Sequence, residues 1–341
     1  MAVKPGKLLA VVCANGLGHY RRTIGVLDRL IATHPVHLTI ACEAWQVERT
    51  STWPALVRVQ KHAELVHGIT HPGIKWSARS GAYDEALWTW VERLRPHARV
   101  ADLVVSDNLV GALEVRPDAV LMGSFLWADV LEAAHPENPF VREFVARDRA
   151  LLASIRPPML CVADIAMPGV TTSTAAVPLA WMCETIAPLR PDPRVSPRIG
   201  VFGGATGSSG SVLEAAAALL EKRFTVERGG ESEAEYDRYD VVVCRPGVGT
   251  ITGCIAARVP MVLAYEAANS ELSHNAARLA ALGVAIDCGT PAHPLAIEQA
   301  VDRWLDPEVR RAGIARFAAL PVHGLDGAAR WLIERLESKP S

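Results

Sequence analysis

A chain of 341 residues with 50% hydrophobic and 21% charged residues has the length of two ordinary domains and the composition of a soluble globular protein, not a disordered one. A formal net charge of −2 leaves no electrostatic footprint for nucleic acid, and no apolar stretch is long enough to span a bilayer, so membrane contact is at most peripheral. Seven cysteines, odd in number and without Cys-x-x-Cys spacing, argue for a reducing cytoplasm and against structural zinc.

In chain order, Leu8 to Ala14 is too short for a signal segment and runs straight into Asn15-Gly16, so Leu8 to Cys13 reads as a first strand. The turn Ala14 to His19, an amphipathic helix from about Tyr20 to Thr33 and a strand His37 to Ala41 complete a βαβ unit. Gly16-Leu17-Gly18 superficially matches a dinucleotide fingerprint, with Glu43 as the ribose acceptor, but Arg21 stands where the third glycine belongs. His19 falls at or just before the first helical turn, where the macrodipole disfavours imidazolium and suits a neutral base. A solvated turn histidine is the plainer alternative.

Further on, Asp102 to Ser106 and Ala119 to Met122 read as buried strands, with helical patterns at Tyr83 to Leu94 and Pro139 to Ala153. Such alternation predicts a parallel, helix-covered sheet. Asp107, just past a strand end, is a candidate site residue or a helix cap. Seven of the nine tryptophans, Trp127 among them, precede residue 184. They suit an apolar acceptor platform, although core packing explains many of them.

The stretch from Glu184 to Arg198 carries four prolines and predicts a linker. The plan then restarts with strand Ile199 to Phe202, the glycine and hydroxyl turn Gly203 to Gly210, and helix Ser211 to Glu221. A buried strand Val241 to Val243 is broken by Arg245-Pro246-Gly247-Val248-Gly249 before Thr250 opens a helix. Glycines there admit a close ligand, and a helix N-terminus favours pyrophosphate. Gly203, Gly204 and Thr206 suit holding the same ligand from a second turn, and such a turn equally suits a mobile loop. The polar loop with Glu266, Asn269, Ser270 and Glu271, followed by His274 and Asn275, offers partners for sugar hydroxyls, while Asn269 or Ser270 also suits a helix cap. The expected organisation is a domain over 1–183, a linker over 184–198, a domain over 199–322 and a final helix over 323–341. Ligands of such sheets bind beyond the strands' carboxyl ends, and a cleft between two domains is the expected site.

The run Cys244 to Thr250, then Pro260, then Asn275-Ala276 to Gly283, together with Gly16-Leu17-Gly18-His19 and the turn at Gly203-Gly204, resembles the MurG-like glycosyltransferases. Residue-level similarity covers about Tyr239 to Ala285 and the start of the first helix. The resemblance implies an α/β GT-B fold, two doubly wound Rossmann-like domains facing across a cleft, in a cytoplasmic bacterial enzyme. It implies a nucleotide-sugar donor, of UDP type, on the second domain, at Gly203, Gly204, Thr206, Arg245, Gly247, Val248, Gly249, Thr250, Glu266, Asn269, Ser270 and Glu271. A small-molecule or lipid-linked acceptor would lie on the first domain, near Gly16, Gly18 and Trp127. His19 would act as general base in an inverting transfer without metal or other cofactor, Asp107 remains a separate candidate of the same cleft, and the final helix would cross back to the first domain. One departure stands out. The family's glutamate three residues after the threonine, a ribose ligand, is Gly253 in this chain, which questions a uridine nucleotide bound in the usual way. A nucleotide-sugar hydrolase and a non-catalytic nucleotide-sugar-binding subunit are the alternatives.

Overall fold

The computed structural model describes residues 5–71, 86–203, 210–229, 236–265 and 269–338. The chain segregates into two compact units, one of Met1–Leu179 with Gly324–Ser341 and one of Ala180–His323. Among the described residues, no helix is long and apolar enough to cross a membrane.

The first unit runs β1 (Gly6–Val11), α1 (Leu17–Ile31), β2 (Val36–Ala41), α2 (Ala44–Arg49), α3 (Pro54–Gln60), β3 (Ala63–Val66), α4 (Ala86–Val100), β4 (Leu103–Asp107), a 3-10 turn Val110–Glu114, β5 (Val120–Met122), α5 (Trp127–Ala134), α6 (Pro139–Ile155), β6 (Pro158–Val162), α7 (Pro168–Ser173) and β7 (Ala175–Leu179). Its seven strands are ordered β3-β2-β1-β4-β5-β6-β7, every pair parallel. β4 and β5 are buried at every position, as expected of strands covered on both faces. Leu9, Val104, Leu121 and Met159 of the sheet share one core cluster with Trp90, Leu94, Phe125 and Phe144.

The second unit runs β8 (Arg198–Phe202), α8 (Gly210–Leu220), β9 (Thr225–Gly229), β10 (Val241–Cys244), α9 (Val248–Ala257), β11 (Met261–Leu263), α10 (Ser270–Ala281), β12 (Ala285–Asp287), α11 (Pro294–Leu305) and α12 (Pro307–Ala319). Its five parallel strands are ordered β12-β11-β10-β8-β9. The last helix, α13 (Gly324–Glu337), belongs to the first unit. It packs against α1 and β7, so closely that a Cβ added at Gly25 would press on Leu325.

Two local differences from the sequence reading bear on function. Helix α1 starts at Leu17, three residues before the expected Tyr20, because Gly16 takes the N-cap position with φ of 97°, a left-handed conformation open to glycine. Gly18 and His19 therefore lie within the first helical turn. Strand β4 extends through Asp107, so that carboxylate is the last residue of a strand and not the first of a loop. The stretch after Cys183 has no helix or strand before Arg198, yet it is pinned to the second unit. Ala187 N–H donates to Ala256 O at 2.8 Å, and Arg194 donates through both its backbone N–H and Nη1 to the fully buried Asp240 at 3.1 Å.

Candidate active site and donor turns

In a parallel sheet all carboxyl strand ends share one edge, and that edge of the first unit gathers His19 and Asp107. Residues three and four apart on a helix face the same way, so α1 presents His19, Arg22 and Thr23 together. Asp107 meets them from the end of β4. His19 Nδ1 lies 2.6 Å from Asp107 Oδ1 across 88 residues of sequence. Arg22 forks onto the same carboxylate, Nε to Oδ2 at 3.0 Å and Nη2 to Oδ1 at 2.7 Å, and the Thr23 hydroxyl donates to Oδ2 at 3.1 Å.

Asp107 is 0% exposed and Arg22 8%. Burial alone raises a carboxyl pKa. Here the Arg22 charge and the contact with His19 outweigh it, and the Asp107 carboxyl is held below its ordinary value. An ionised carboxylate on Nδ1 selects the tautomer protonated there and leaves Nε2 as the acceptor, the arrangement of a histidine base. Phe125 and Trp127 line the ring's surroundings, with centroids 6.0 Å and 6.2 Å from that of His19. Trp127, assigned to the acceptor side from sequence, is 4% exposed at the start of α5 and makes an edge contact with Phe125 at 4.9 Å.

Gly16 leaves space beyond it, since an added Cβ would meet nothing within 4 Å. The glycine loop is braced by a residue the sequence reading missed: the buried Gln46 amide donates to Cys13 O at 3.0 Å and to Gly16 O at 3.2 Å. Glu43, the ribose acceptor of the dinucleotide reading, sits at the N-cap of α2, and its N–H donates to Gln46 Oε1 at 3.1 Å. Arg21, which displaced the third glycine, lies over the Trp53 ring at 5.3 Å. Arg22 and Thr23 were missed as well. Their spacing from His19 was the available signal, but it needed a partner to give it meaning.

The second unit builds its candidate site from main chain. β8 and β10 pair with Phe202 opposite Cys244, which sets Gly203 beside Arg245; Arg245 N–H donates to Phe202 O at 3.4 Å. Gly247 is the N-cap of α9, and the first intrahelical bond there is Ile251 N–H to Gly247 O at 3.1 Å. The amides of Val248, Gly249 and Thr250 thus have no acceptor within the helix. An added Cβ at Gly203 or Gly247 would meet nothing within 4 Å, so both backbones stand open to approach.

Asn275 ties α10 to this turn, its Nδ2 donating to Pro246 O at 2.9 Å. Asn269 caps α10 by accepting from Leu272 N–H at 3.2 Å. Ser270 and Glu271 follow in the first turn, and the Ser270 hydroxyl is buried with no hydrogen-bond partner among the described residues. Gly204, Thr206 and Glu266 lie outside the described residues. Gly253 has a packing reason: a side chain there would overlap the Tyr236 ring, which itself lies 5.3 Å from the ring of Phe202. Among the described residues no group of three or more His, Cys, Asp or Glu side chains is arranged to hold a metal ion.

No protein-family model matches the chain, and no curated protein matches it in sequence. Its fold is nevertheless shared with solved structures. It is similar to the glycotransferase of kitacinnamycin, at 17% identity and a TM-score of 0.65 over 98% of this chain and 100% of that one. It is also similar to a UDP-glucosyltransferase from Polygonum tinctorium capable of glucosylating indoxyl, at 12% identity and a TM-score of 0.67 over 99% and 100%. A third is the glycosyltransferase VinC in complex with dTDP, at 16% identity and a TM-score of 0.60 over 98% and 100%. With two parallel sheets flanked by helices and similarity of this extent to glycosyltransferase structures, the chain has the GT-B fold.

Proposed function

We propose that the protein is a nucleotide-sugar-dependent glycosyltransferase of MurG-like affiliation that inverts the anomeric centre and uses His19 as its general base. The observation that carries this reading is the 2.6 Å contact between His19 Nδ1 and Asp107. A histidine oriented by a buried carboxylate can take the proton of an acceptor hydroxyl at Nε2 as that oxygen attacks the anomeric carbon, while Asp107 stabilises the imidazolium that forms. A base of this kind contributes roughly 10²–10⁴-fold in rate. Arg22 keeps Asp107 ionised and in register, and so acts through it.

The donor belongs to the second unit. Its diphosphate would sit on the open backbone at Gly247 and the amides of Val248, Gly249 and Thr250, where helix N-terminal donors stabilise the charge left on the departing nucleotide. That assignment asks for no metal. The nucleotide is of UDP or dTDP type, as in the proteins of like fold, and the acceptor is a small molecule or a lipid-linked alcohol held by the first unit. The MurG-like affiliation rests on the Cys244 to Thr250 run and on the Gly-x-Gly-His loop.

The test is a product assay with UDP- and dTDP-sugars, with and without a panel of alcohol acceptors. Acceptor-dependent release of nucleoside diphosphate, with a product of inverted anomeric configuration, supports the proposal. Free sugar released at full rate without acceptor would convert it to hydrolysis, and no binding of any nucleoside diphosphate by the folded protein would end it.

A further inference from the structure

A second polar feature of the first unit takes no part in the chemistry above. Asp148, on α6, is 5% exposed, and among the described residues its carboxylate makes no hydrogen bond. It lines a crevice with Phe144 of the same helix, Trp90 of α4, His71 and Asn108. Trp90 is 2% exposed, Phe144 7% and His71 2%, and the His71 and Trp90 rings meet edge-on with centroids 6.0 Å apart. Asn108 directly follows Asp107 and His71 follows β3, so the crevice opens on the strands' carboxyl ends, where ligands of parallel sheets bind. It is narrow, with room for a small head group and not for a ring.

The neighbouring charges are already matched. Arg147 forms a fork with Glu114, its Nη2 donating to Oε2 at 2.6 Å, and Arg149 on the far side of α6 pairs with Glu132 at 2.9 Å through Nη1. Among the described residues, that leaves Asp148 without a countercharge of its own. Burying a carboxylate this way is expensive unless a cation arrives or the group keeps its proton. Trp90 and Phe144 also line the crevice, and aromatic rings attract cations.

We propose that this crevice seats the ammonium head of a cationic amine, with Asp148 as its countercharge and Trp90 and Phe144 as its walls. Given the glycosyltransferase reading, on which this step rests, the preferred acceptor carries an alkylammonium arm besides the hydroxyl that His19 deprotonates. Burial, reinforced by the Glu114 carboxylate and opposed by Arg147, pushes the Asp148 carboxyl up to about 8. At neutral pH the empty site therefore holds a carboxylic acid. Docking of R–NH3⁺ yields R–NH3⁺ beside R′–COO⁻, and one proton leaves to solvent. Amine affinity accordingly rises with pH up to about 8. Among the described residues the titratable groups facing Asp148 are His71 from the loop after β3, Glu114 from the 3-10 turn and Arg147 from its own helix; α4 contributes Trp90 and Val91, neither of which titrates.

The test is calorimetric titration of the whole chain with n-propylammonium chloride and with 1-propanol at pH 7, in two buffers of different ionisation heat. The amine is expected to bind at least tenfold tighter than the alcohol, with a buffer-dependent heat that reports proton release. Asp148→Asn is expected to lower amine affinity at least tenfold and to leave the affinity for UDP or dTDP unchanged. Equal binding of amine and alcohol by the unmodified protein, or no binding of either, overturns the proposal even where the variant does not fold, and so does undiminished amine binding by a folded variant. Amine binding by a protein that binds no nucleoside diphosphate sustains the seat and defeats the glycosyltransferase reading; the converse result defeats the seat alone.

Discussion

The candidate sites at the edge of the first sheet and at the edge of the second are built from different materials. At the first, four side chains converge: His19, Arg22 and Thr23 from one helix and Asp107 from a strand end, in a cluster whose carboxylate is fully buried. At the second, the candidate donor groups are mostly backbone, with open space at Gly203 and Gly247 and amides at the start of α9 that have no acceptor within the helix. Proton transfer needs a group whose basicity and orientation are set by named neighbours. Diphosphate binding needs only donors held in place, which a helix N-terminus supplies with any sequence small enough to let the ligand near. A cluster of side chains is therefore fragile to substitution, whereas a main-chain site is broken chiefly by adding bulk.

The contrast is broken most severely at Asp107. Asp107→Asn leaves the Arg22 guanidinium buried without its countercharge, an expected loss of about 3–5 kcal/mol in stability, measurable by urea denaturation, with turnover falling in whatever folded protein remains. The ionised form of Asp107 also gives the protein a pH dependence. Its folded value is depressed, so the stability it contributes is present above about pH 4, the unfolded value, and is lost as pH falls through the folded one. A folded, unchanged Asp107→Asn protein would refute the buried pair.

On the second unit, Gly253→Glu, which restores the carboxylate the family carries, must displace the Tyr236 ring. An overpacking loss of about 1–3 kcal/mol is expected, read as a lowered urea midpoint at unchanged slope. Gly247→Val probes the opposite case. The added side chain meets no protein atom within 4 Å at Cβ, so stability is expected to hold while the Kd for UDP or dTDP rises about tenfold, or about 1.4 kcal/mol. A variant that loses stability but binds nucleotide normally would place the diphosphate elsewhere.

The effect of Asp148 is spread over pH and is read as a slope. Its folded value of about 8 lies above the unfolded one, near 4, so the folded state binds the extra proton between them. Stability is expected to fall as pH rises through that window, by no more than about 1.4 kcal/mol per pH unit. Asp148→Asn flattens that decline, and an unchanged slope in thermal melts from pH 5 to 8 would count against it.

Much of this was legible in the residues. The opening βαβ unit, the Gly-x-Gly-His loop and the Arg245 to Thr250 turn were placed within a few residues, because buried central strands and glycine turns leave strong local patterns. The strands that sequence did not reveal include the edges β3, β7, β9 and β12. None of these is buried throughout; Pro178 interrupts β7 and Glu227 and Arg228 lie in β9, so the apolar signal is diluted where a strand has one neighbour. His19 and Asp107 were each candidates for separate reasons. Their contact spans 88 residues, a distance at which local pattern carries nothing, and the forked Arg22 became meaningful only once β4 had brought the carboxylate to α1. Gly253 read as a departure from a family pattern. The Tyr236 ring explains it as packing.

The proposed division of labour between side-chain base and main-chain donor site is tested most directly by His19→Ala, measured in parallel for nucleoside diphosphate affinity by calorimetry and for acceptor-dependent turnover. The expected result is a Kd unchanged within about twofold and a turnover lowered by roughly 10²–10⁴-fold. Turnover at the unmodified rate with the same Kd would show that the proton leaves by another route and that the His19–Asp107 pair is structural.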